Sequence, residues 1–151
     1  MRVQDFIAKQ TEIITEGILR AVKAVPTDKL DWKPMDNGRS ALDQLQECAA
    51  SPQIMMRALS GKGYSYTEED TSLKKSLSTV GDAEKCLREG TAKLLTMIRE
   101  MPDDKLAEKI DLPWGVTWTL AEVANMHYWN LVYHVGQINY IQTLLGDFEM
   151  H

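Results

Sequence analysis

The stretch from residue 119 to residue 146 constrains the fold most, because it carries signals for both ends of one long helix. Thr119 followed by Glu122 predicts a capping box, in which each side chain accepts a hydrogen bond from a free backbone N–H of the first turn. Gly146 follows the last apolar position, where a helix can end in a left-handed conformation. Between these ends, apolar residues and two histidines recur at helical spacing: Leu120, Val123, Ala124, His127, Leu131, His134, Ile138, Ile141 and Leu145. Aromatic and aliphatic residues occupy the other sides as well, which predicts a helix that is covered on more than one side.

Three further helices are predicted from apolar periodicity, N-capping residues and helix-ending prolines. Their predicted bounds are residues 3 to 25, 41 to 61 and 79 to 101. The polar connections 61–78 and 102–118 are long enough to cross the molecule, and the second predicts at most a short strand. The sequence therefore predicts one all-α domain over residues 1–151, a four-helix bundle with long crossover connections.

The composition narrows the classes of partner. A chain of 151 residues with 44% hydrophobic residues can bury a core as a single soluble domain. The net charge of -5 and the scattered basic residues predict no nucleic-acid partner. Apolar runs too short for a bilayer and helix faces of mixed charge predict no membrane association. Polar residues interrupt the apolar ones at the N-terminus, which is not typical of a secretion signal. The two cysteines lack the spacing of a zinc site, and we interpret them as reduced thiols. We therefore expect a cytoplasmic protein.

One side of the last helix carries the polar groups that could support chemistry. His127, Asn130, His134 and Gln137 lie along this side. Asn130 and His134 are four residues apart, which is close enough to share a ligand. His127 and His134 are about 10.5 Å apart along the axis, too far to serve one ion together. Two interpretations stay open for the histidines: a ligand or acid–base role, or buried rings with ordinary hydrogen-bond partners.

The second helix offers a matching polar row. Gln44, Glu47 and Ser51 lie to one side of its apolar stripe. On the residue type alone, Glu47 is either a solvated helix glutamate or a carboxylate ligand for an ion.

Two segments resemble the DinB/YfiT-like superfamily of bacterial four-helix proteins. They read DKLDWKPMDNGRSALDQLQECA in the first half and NLVYHVGQINYIQTLLG in the second. Ser40 matches the serine that starts the second helix of that family. The run from His134 to Ile138 matches the family's His-x-Gly-Gln-Ile motif. The resemblance spans nearly the whole chain and implies the same bundle fold.

The resemblance also implies a metal site with an altered set of ligands. The family pattern has a histidine seven residues after the serine and a His-x3-His pair on the last helix. Counting along this chain places Glu47 and Asn130 at two of those positions, and His134 at the third. The family's metal is zinc or nickel, whereas carboxylate and amide oxygens favour a harder ion. A site with one remaining histidine is also consistent with loss of the metal.

Two functions follow from these residues. The first is a metal-dependent hydrolase or thiol transferase that acts on a small molecule or thiol, with Glu47, Asn130 and His134 as ligands. Under this hypothesis, His127 is a general acid or base at the edge of the pocket. The second is a non-catalytic small-molecule-binding or interaction protein on the same scaffold. Under both, a second copy of the chain or the two long connections could cover the apolar sides of the last helix. Of these two we expect a homodimer.

Overall fold

The computed structural model describes all residues from Met1 to His151. It contains five α-helices and two short strands. They are α1 (Val3–Ala24), α2 (Ala41–Arg57), α3 (Glu68–Ser76), α4 (Val80–Glu100), β1 (Lys109–Asp111), β2 (Thr117–Thr119) and α5 (Leu120–Leu144). The four long helices form the predicted all-α bundle.

The order of the long helices around the bundle is α1, α4, α2, α5. α1 and α2 each pack against both α4 and α5, so consecutive helices α1 and α2 lie across the bundle from one another. α4 and α5 also lie across the bundle from one another, so the connection 102–118 crosses the bundle, as the sequence predicted. α2 and α4 are neighbours, so the connection 61–78 does not cross, and the crossover predicted there was wrong. The arrangement places α2 directly beside α5, which brings their polar rows together.

Local capping determines where three of the long helices begin. The Ser40 hydroxyl accepts a hydrogen bond from the backbone N–H of Asp43 at 3.1 Å. Thr79 does the same for Asp82 at the start of α4, and Thr119 and Glu122 form the predicted capping box of α5. At the other end of α5, Gly146 has a φ of 89°, the left-handed conformation that favours glycine. These ends agree with the predicted bounds because caps are short-range interactions.

The connection after α2 differs from the prediction. Residues 61–78 were expected to be a surface connection without regular structure, yet they contain helix α3. Thr67 and Asp70 form a capping box at its start. Asp70 is fully buried and pairs with Arg57 at 2.5 Å, which holds α3 against the end of α2. The Thr-x-x-Asp spacing was the sequence signal for this helix.

The second connection contains a small antiparallel hairpin. β1 pairs with β2 in a register that places Lys109 opposite Thr119 and Asp111 opposite Thr117. Gly115 lies in the turn between them with a φ of 82°. The sequence predicted at most one short strand here and no sheet, so the pairing of two strands was missed. β2 leads directly into α5.

The buried core consists of two apolar clusters. One is centred on Ile18, Leu45 and Leu131, and the other on Ile54 and Leu94. Five buried polar residues from the four long helices come between the two clusters along their helices. They are Thr11, Thr15, Ser51, Thr91 and His127. The bundle thus has a polar layer between its two apolar halves.

Three residues of α1 lie outside the core. Val3, Phe6 and Ile13 belong to the apolar periodicity that predicts this helix, but about half of each residue's surface is exposed. The apolar pattern of α1 is therefore wider than the part of the helix that the bundle buries. None of the helices combines the length and apolar character needed to cross a membrane.

Candidate functional site

The structure brings Glu47 of α2 and His134 of α5 into direct contact. Glu47 Oε1 lies 3.2 Å from His134 Nε2, and the ring is almost completely buried. The second ring nitrogen, Nδ1, lies 3.0 Å from Gln44 Oε1. Gln44 and Glu47 belong to the polar row of α2, and they hold the His134 ring through both of its nitrogens.

Arg39 binds the other side of the Glu47 carboxylate. Its Nη2 lies 2.5 Å from Glu47 Oε2, and its Nε lies 2.6 Å from Asp43 Oδ2. Lys74 of α3 approaches the second oxygen of Asp43 at 2.8 Å. Hydrogen bonding to His134, and then to Arg39, lowers the pKa of the Glu47 carboxyl to about 2 despite its burial. Glu47 is therefore ionised at neutral pH.

Asn130 is not part of this contact network. Its Nδ2 points towards the Cys48 Sγ at 3.8 Å, a weak hydrogen bond. Burial raises the pKa of the Cys48 thiol well above its ordinary value, so no thiolate is formed there. Of the three predicted ligands, the structure joins Glu47 and His134 and directs the Asn130 amide nitrogen elsewhere.

His127 lies in the polar layer of the core with no exposed surface. Its Nδ1 is 2.9 Å from Ser51 Oγ, and its Nε2 is 2.9 Å from Thr91 Oγ1. Ser51 donates its only hydroxyl proton to the carbonyl of Cys48, so the ring donates from Nδ1 and accepts at Nε2 from Thr91. Burial lowers the pKa of His127 to about 3. This geometry supports a neutral His127 ring in which both nitrogens are hydrogen-bonded. The role of His127 as a general acid or base stays a prediction, and no contact in the structure supports it.

A cleft of about 730 Å³ opens beside the Glu47 and His134 pair. We call it the α5 cleft, since one wall is the outer side of α5 and the other is the segment 34–39. Arg39 and Gln44, the partners of Glu47 and His134, lie in its lining. Its apolar part comes from Met35, Tyr133, Tyr140, Ile141 and Leu144. The cleft therefore combines an aromatic and aliphatic wall with a polar end.

The protein contacts of Glu47 and His134 oppose the binding of a metal ion between them. No group of three or more His, Cys, Asp and Glu side chains in the chain has a geometry that could hold a metal ion. Both Glu47 oxygens and both His134 nitrogens already have protein partners, and one partner is the positive guanidinium of Arg39. A divalent cation on Glu47 would have to displace or oppose that charge.

Sequence reasoning missed Arg39 as part of this site. Arg39 and Asp43 are four residues apart, and Glu47 follows four residues later. At this spacing the three side chains lie on the same side at the start of α2, so the guanidinium can contact both carboxylates. The spacing could therefore have identified Arg39 from the sequence. Gln44 was recognised as a member of the polar row, but its role as the partner of His134 required the position of α5.

The sequence profile of the DinB superfamily matches residues 10–138. The chain belongs to the DinB superfamily. This match confirms the family expected from the Ser40 and His134 motifs. No curated protein sequence matches the chain.

Solved structures of the DinB type share this fold at low sequence identity. One is YfiT from Bacillus subtilis, described as a probable metal-dependent hydrolase with an unusual four-helix bundle topology. It has a TM-score of 0.79 and 15% identity, with 95% of this chain and 88% of that chain covered. Another is a mycothiol-dependent maleylpyruvate isomerase, with a TM-score of 0.69 and 14% identity. The match covers 91% of this chain but only 61% of the isomerase, so this chain spans about three fifths of that protein.

A third match concerns nucleic acid. The colibactin self-resistance protein ClbS, solved in complex with a dsDNA, has a TM-score of 0.69 and 11% identity, with 93% of this chain and 95% of that chain covered. A bundle of this type can therefore occur in a DNA complex, which runs against our prediction that nucleic acid is excluded. At these identities the likeness establishes the shared fold, and the functions named belong to those proteins.

Proposed function

We propose that this DinB-superfamily protein binds a small, uncharged, amphipathic molecule in the α5 cleft and does so without a metal ion. The proposal rests on the observation that both carboxylate oxygens of Glu47 already have protein partners. Its two carboxylate oxygens contact His134 at 3.2 Å and Arg39 at 2.5 Å. Arg39 thus supplies the positive charge that a metal ion would supply at this position.

The charges at the polar end of the cleft support an uncharged ligand. Arg39 is the one charged residue in the cleft lining, and its guanidinium is already paired with the carboxylates of Asp43 and Glu47. A charged ligand would meet no uncompensated partner there and would lose its hydration. An uncharged molecule can hydrogen-bond to the partly exposed guanidinium of Arg39 and to the Gln137 amide in the cleft lining, while its apolar part packs on the tyrosines.

Metal uptake tests the proposal directly. We expect purified, metal-stripped protein to take up no stoichiometric Zn²⁺, Ni²⁺ or Mn²⁺ in isothermal titration calorimetry and elemental analysis. Arg39→Met frees Glu47 Oε2 and removes one positive charge, and we expect it to bind Zn²⁺ at least ~10-fold more tightly than the unsubstituted protein. The matched control is Lys74→Met, which removes a positive charge from the same network but leaves the Arg39–Glu47 contact in place.

The alternative is a metal-dependent hydrolase or thiol transferase with Glu47, Asn130 and His134 as ligands of zinc, nickel or a harder ion. It is supported by the meeting of a carboxylate and an imidazole from α2 and α5, and by the descriptions of YfiT and the isomerase. One metal ion per unsubstituted chain, lost in both His134→Ala and Glu47→Ala, would establish this alternative and refute our proposal.

A further inference from the structure

The outer face of α5 is an exposed aromatic surface. Trp129 is 67% exposed, and Tyr133 and Tyr140 are each 63% exposed. Leu144 continues the same side of the helix one turn later. Soluble domains seldom leave a contiguous apolar surface of this kind uncovered, and such surfaces commonly mark contacts with another macromolecule.

The helix itself contributes no charged residue to this face, and Arg39, at its edge, is paired with Asp43 and Glu47. No Asp, Glu, Lys or Arg occurs between Val123 and Gly146. The exposed apolar residues of α1, by contrast, lie among charged ones: Lys9 and Glu16 flank Phe6 and Ile13 along that helix. A helix that lies on a membrane surface carries basic residues beside its apolar face, and α5 has none. The chemistry of α5 therefore fits an uncharged, apolar protein surface.

The exposed side chains are arranged symmetrically along the helix. Trp129 and Leu144 are equally far from the midpoint between Gly136 and Gln137, and so are Tyr133 and Tyr140. Two antiparallel copies of α5 related by a two-fold axis at this midpoint would pair Trp129 with Leu144 and Tyr133 with Tyr140. Self-complementarity of this type is what a two-fold interface requires.

Gly136 lies next to the proposed axis. A Cβ atom built at Gly136 would meet no atom within 4 Å, so nothing in the fold of one chain requires glycine there. Glycine inside a helix costs about 1 kcal/mol relative to alanine. At the crossing point of two helices, however, the absence of a side chain lets the two backbones approach closely.

The area available is close to that of a stable interface. Three aromatic side chains of about 150–250 Å² each, about two thirds exposed, present on the order of 400 Å². Met35, Val132 and Leu144 are also exposed beside them. Together they approach the roughly 800 Å² per partner that is typical of specific protein interfaces.

We propose that two copies of this chain associate through the outer faces of α5, antiparallel, about a two-fold axis near Gly136. Because Tyr133, Gly136 and Tyr140 also line the α5 cleft, the second copy covers its open side. Each binding site is then completed by the partner copy. This last point rests on the proposed function of the cleft, whereas the dimer itself does not.

Sedimentation velocity and light scattering over a nanomolar to high micromolar concentration series test the dimer. We expect a concentration-dependent dimer for the unsubstituted protein. Tyr140→Glu places two charges at the interface and Gly136→Leu separates the backbones, so we expect both variants to be monomers. Gly136→Leu has room in the single chain, and we expect the isolated monomer to unfold at the same or a higher temperature. Phe6→Glu, which adds a charge at an exposed aromatic of α1, is the matched control and should remain dimeric.

Disulfide trapping tests the position of the axis. In a Cys86→Ser background, Gly136→Cys places two thiols next to the axis, and we expect rapid formation of a linked dimer under mild oxidation. Trp129→Cys places its two thiols about 22 Å apart along the axis and should not link. A monomer at every concentration overturns the proposal. So does a dimer that persists in both Tyr140→Glu and Gly136→Leu, or one that links through residue 129 and not 136. These results are independent of metal uptake, so either proposal can fail alone.

Discussion

His127 and His134 lie on the same helix, yet their ring nitrogens meet different kinds of partner. His134 contacts a carboxylate and an amide at the polar end of the cleft. His127 contacts two hydroxyl groups in the polar layer of the core. The burial and partners of His127 make a neutral ring the favoured state, which has a consequence for stability.

Stability should fall with acidity because of His127. Its ring stays neutral in the folded chain down to a pKa of about 3, whereas in the unfolded chain it takes up a proton below about 6.5. The unfolded state therefore binds more protons in this range, and stability is lost as the pH falls. We expect a slope approaching about 1.4 kcal/mol per pH unit below pH 6.5 in urea unfolding followed by circular dichroism.

The control for this slope is the removal of the His127 imidazole. His127→Gln should be less stable than the unsubstituted chain at pH 7.5 and should lose less stability between pH 6.5 and pH 5. Equal slopes for the unsubstituted chain and His127→Gln would show that this ring does not remain neutral in the folded state.

Among the helices, α3 depends most on a single side chain. The carboxylate of Asp70 accepts hydrogen bonds from the Thr67 backbone N–H at 2.8 Å and from the Thr67 hydroxyl at 2.9 Å. It also pairs with the Arg57 guanidinium. Despite burial, these contacts hold the pKa of Asp70 below its ordinary value. Helix α3 contributes no fully buried apolar residue to the core.

Asp70→Ala should therefore release α3 while the bundle stays folded. The substitution removes the cap and leaves Arg57 without its ion-pair partner, and we expect a local loss of about 2–4 kcal/mol. Hydrogen exchange followed by mass spectrometry should show loss of protection over residues 68–76. Asp82→Ala, which removes an exposed carboxylate at the equivalent position of α4, should leave protection of residues 80–100 largely intact. Uniform loss of protection across all helices after Asp70→Ala would contradict this local role.

For the whole molecule, the cleft and the α5 surface make binding and assembly interdependent. If the second copy covers the cleft, a ligand in the cleft stabilises the dimer and dimer formation strengthens binding of the ligand. The uncharged fluorescent probe N-phenyl-1-naphthylamine should bind with saturation at one site per chain. Its affinity should be higher at protein concentrations where the dimer forms.

Two variants separate this linkage from non-specific probe binding. Gln137→Trp fills the cleft beside the probe and should abolish saturable binding, whereas Phe6→Trp on the exposed side of α1 should not change it. Trp129→Glu, at a residue of the proposed interface that does not line the cleft, should reduce the affinity to that of the dilute protein. An affinity that does not depend on protein concentration, or that survives Gln137→Trp, would count against a shared site.

Local sequence patterns were enough to predict the family, the four long helices and most of their ends. Ser40, Thr79 and Thr119 bond to backbone groups three residues away, so their effect is local and can be recognised in the sequence. The same rule would have identified α3 from Thr67 and Asp70, since its signal was equally local. The polar rows of α2 and α5 were also visible as patterns.

The residues that those rows contact depend on the packing of the helices against one another. Glu47 contacts His134 and Arg39, whereas Asn130 contacts Cys48. This difference depends on how α2 and α5 approach one another. Helical periodicity places a side chain on a face but does not specify the distance or rotation of the facing helix. The exposure of Trp129, Tyr133 and Tyr140 was decided in the same way, because a helix that is apolar on all sides does not indicate which side the bundle leaves uncovered.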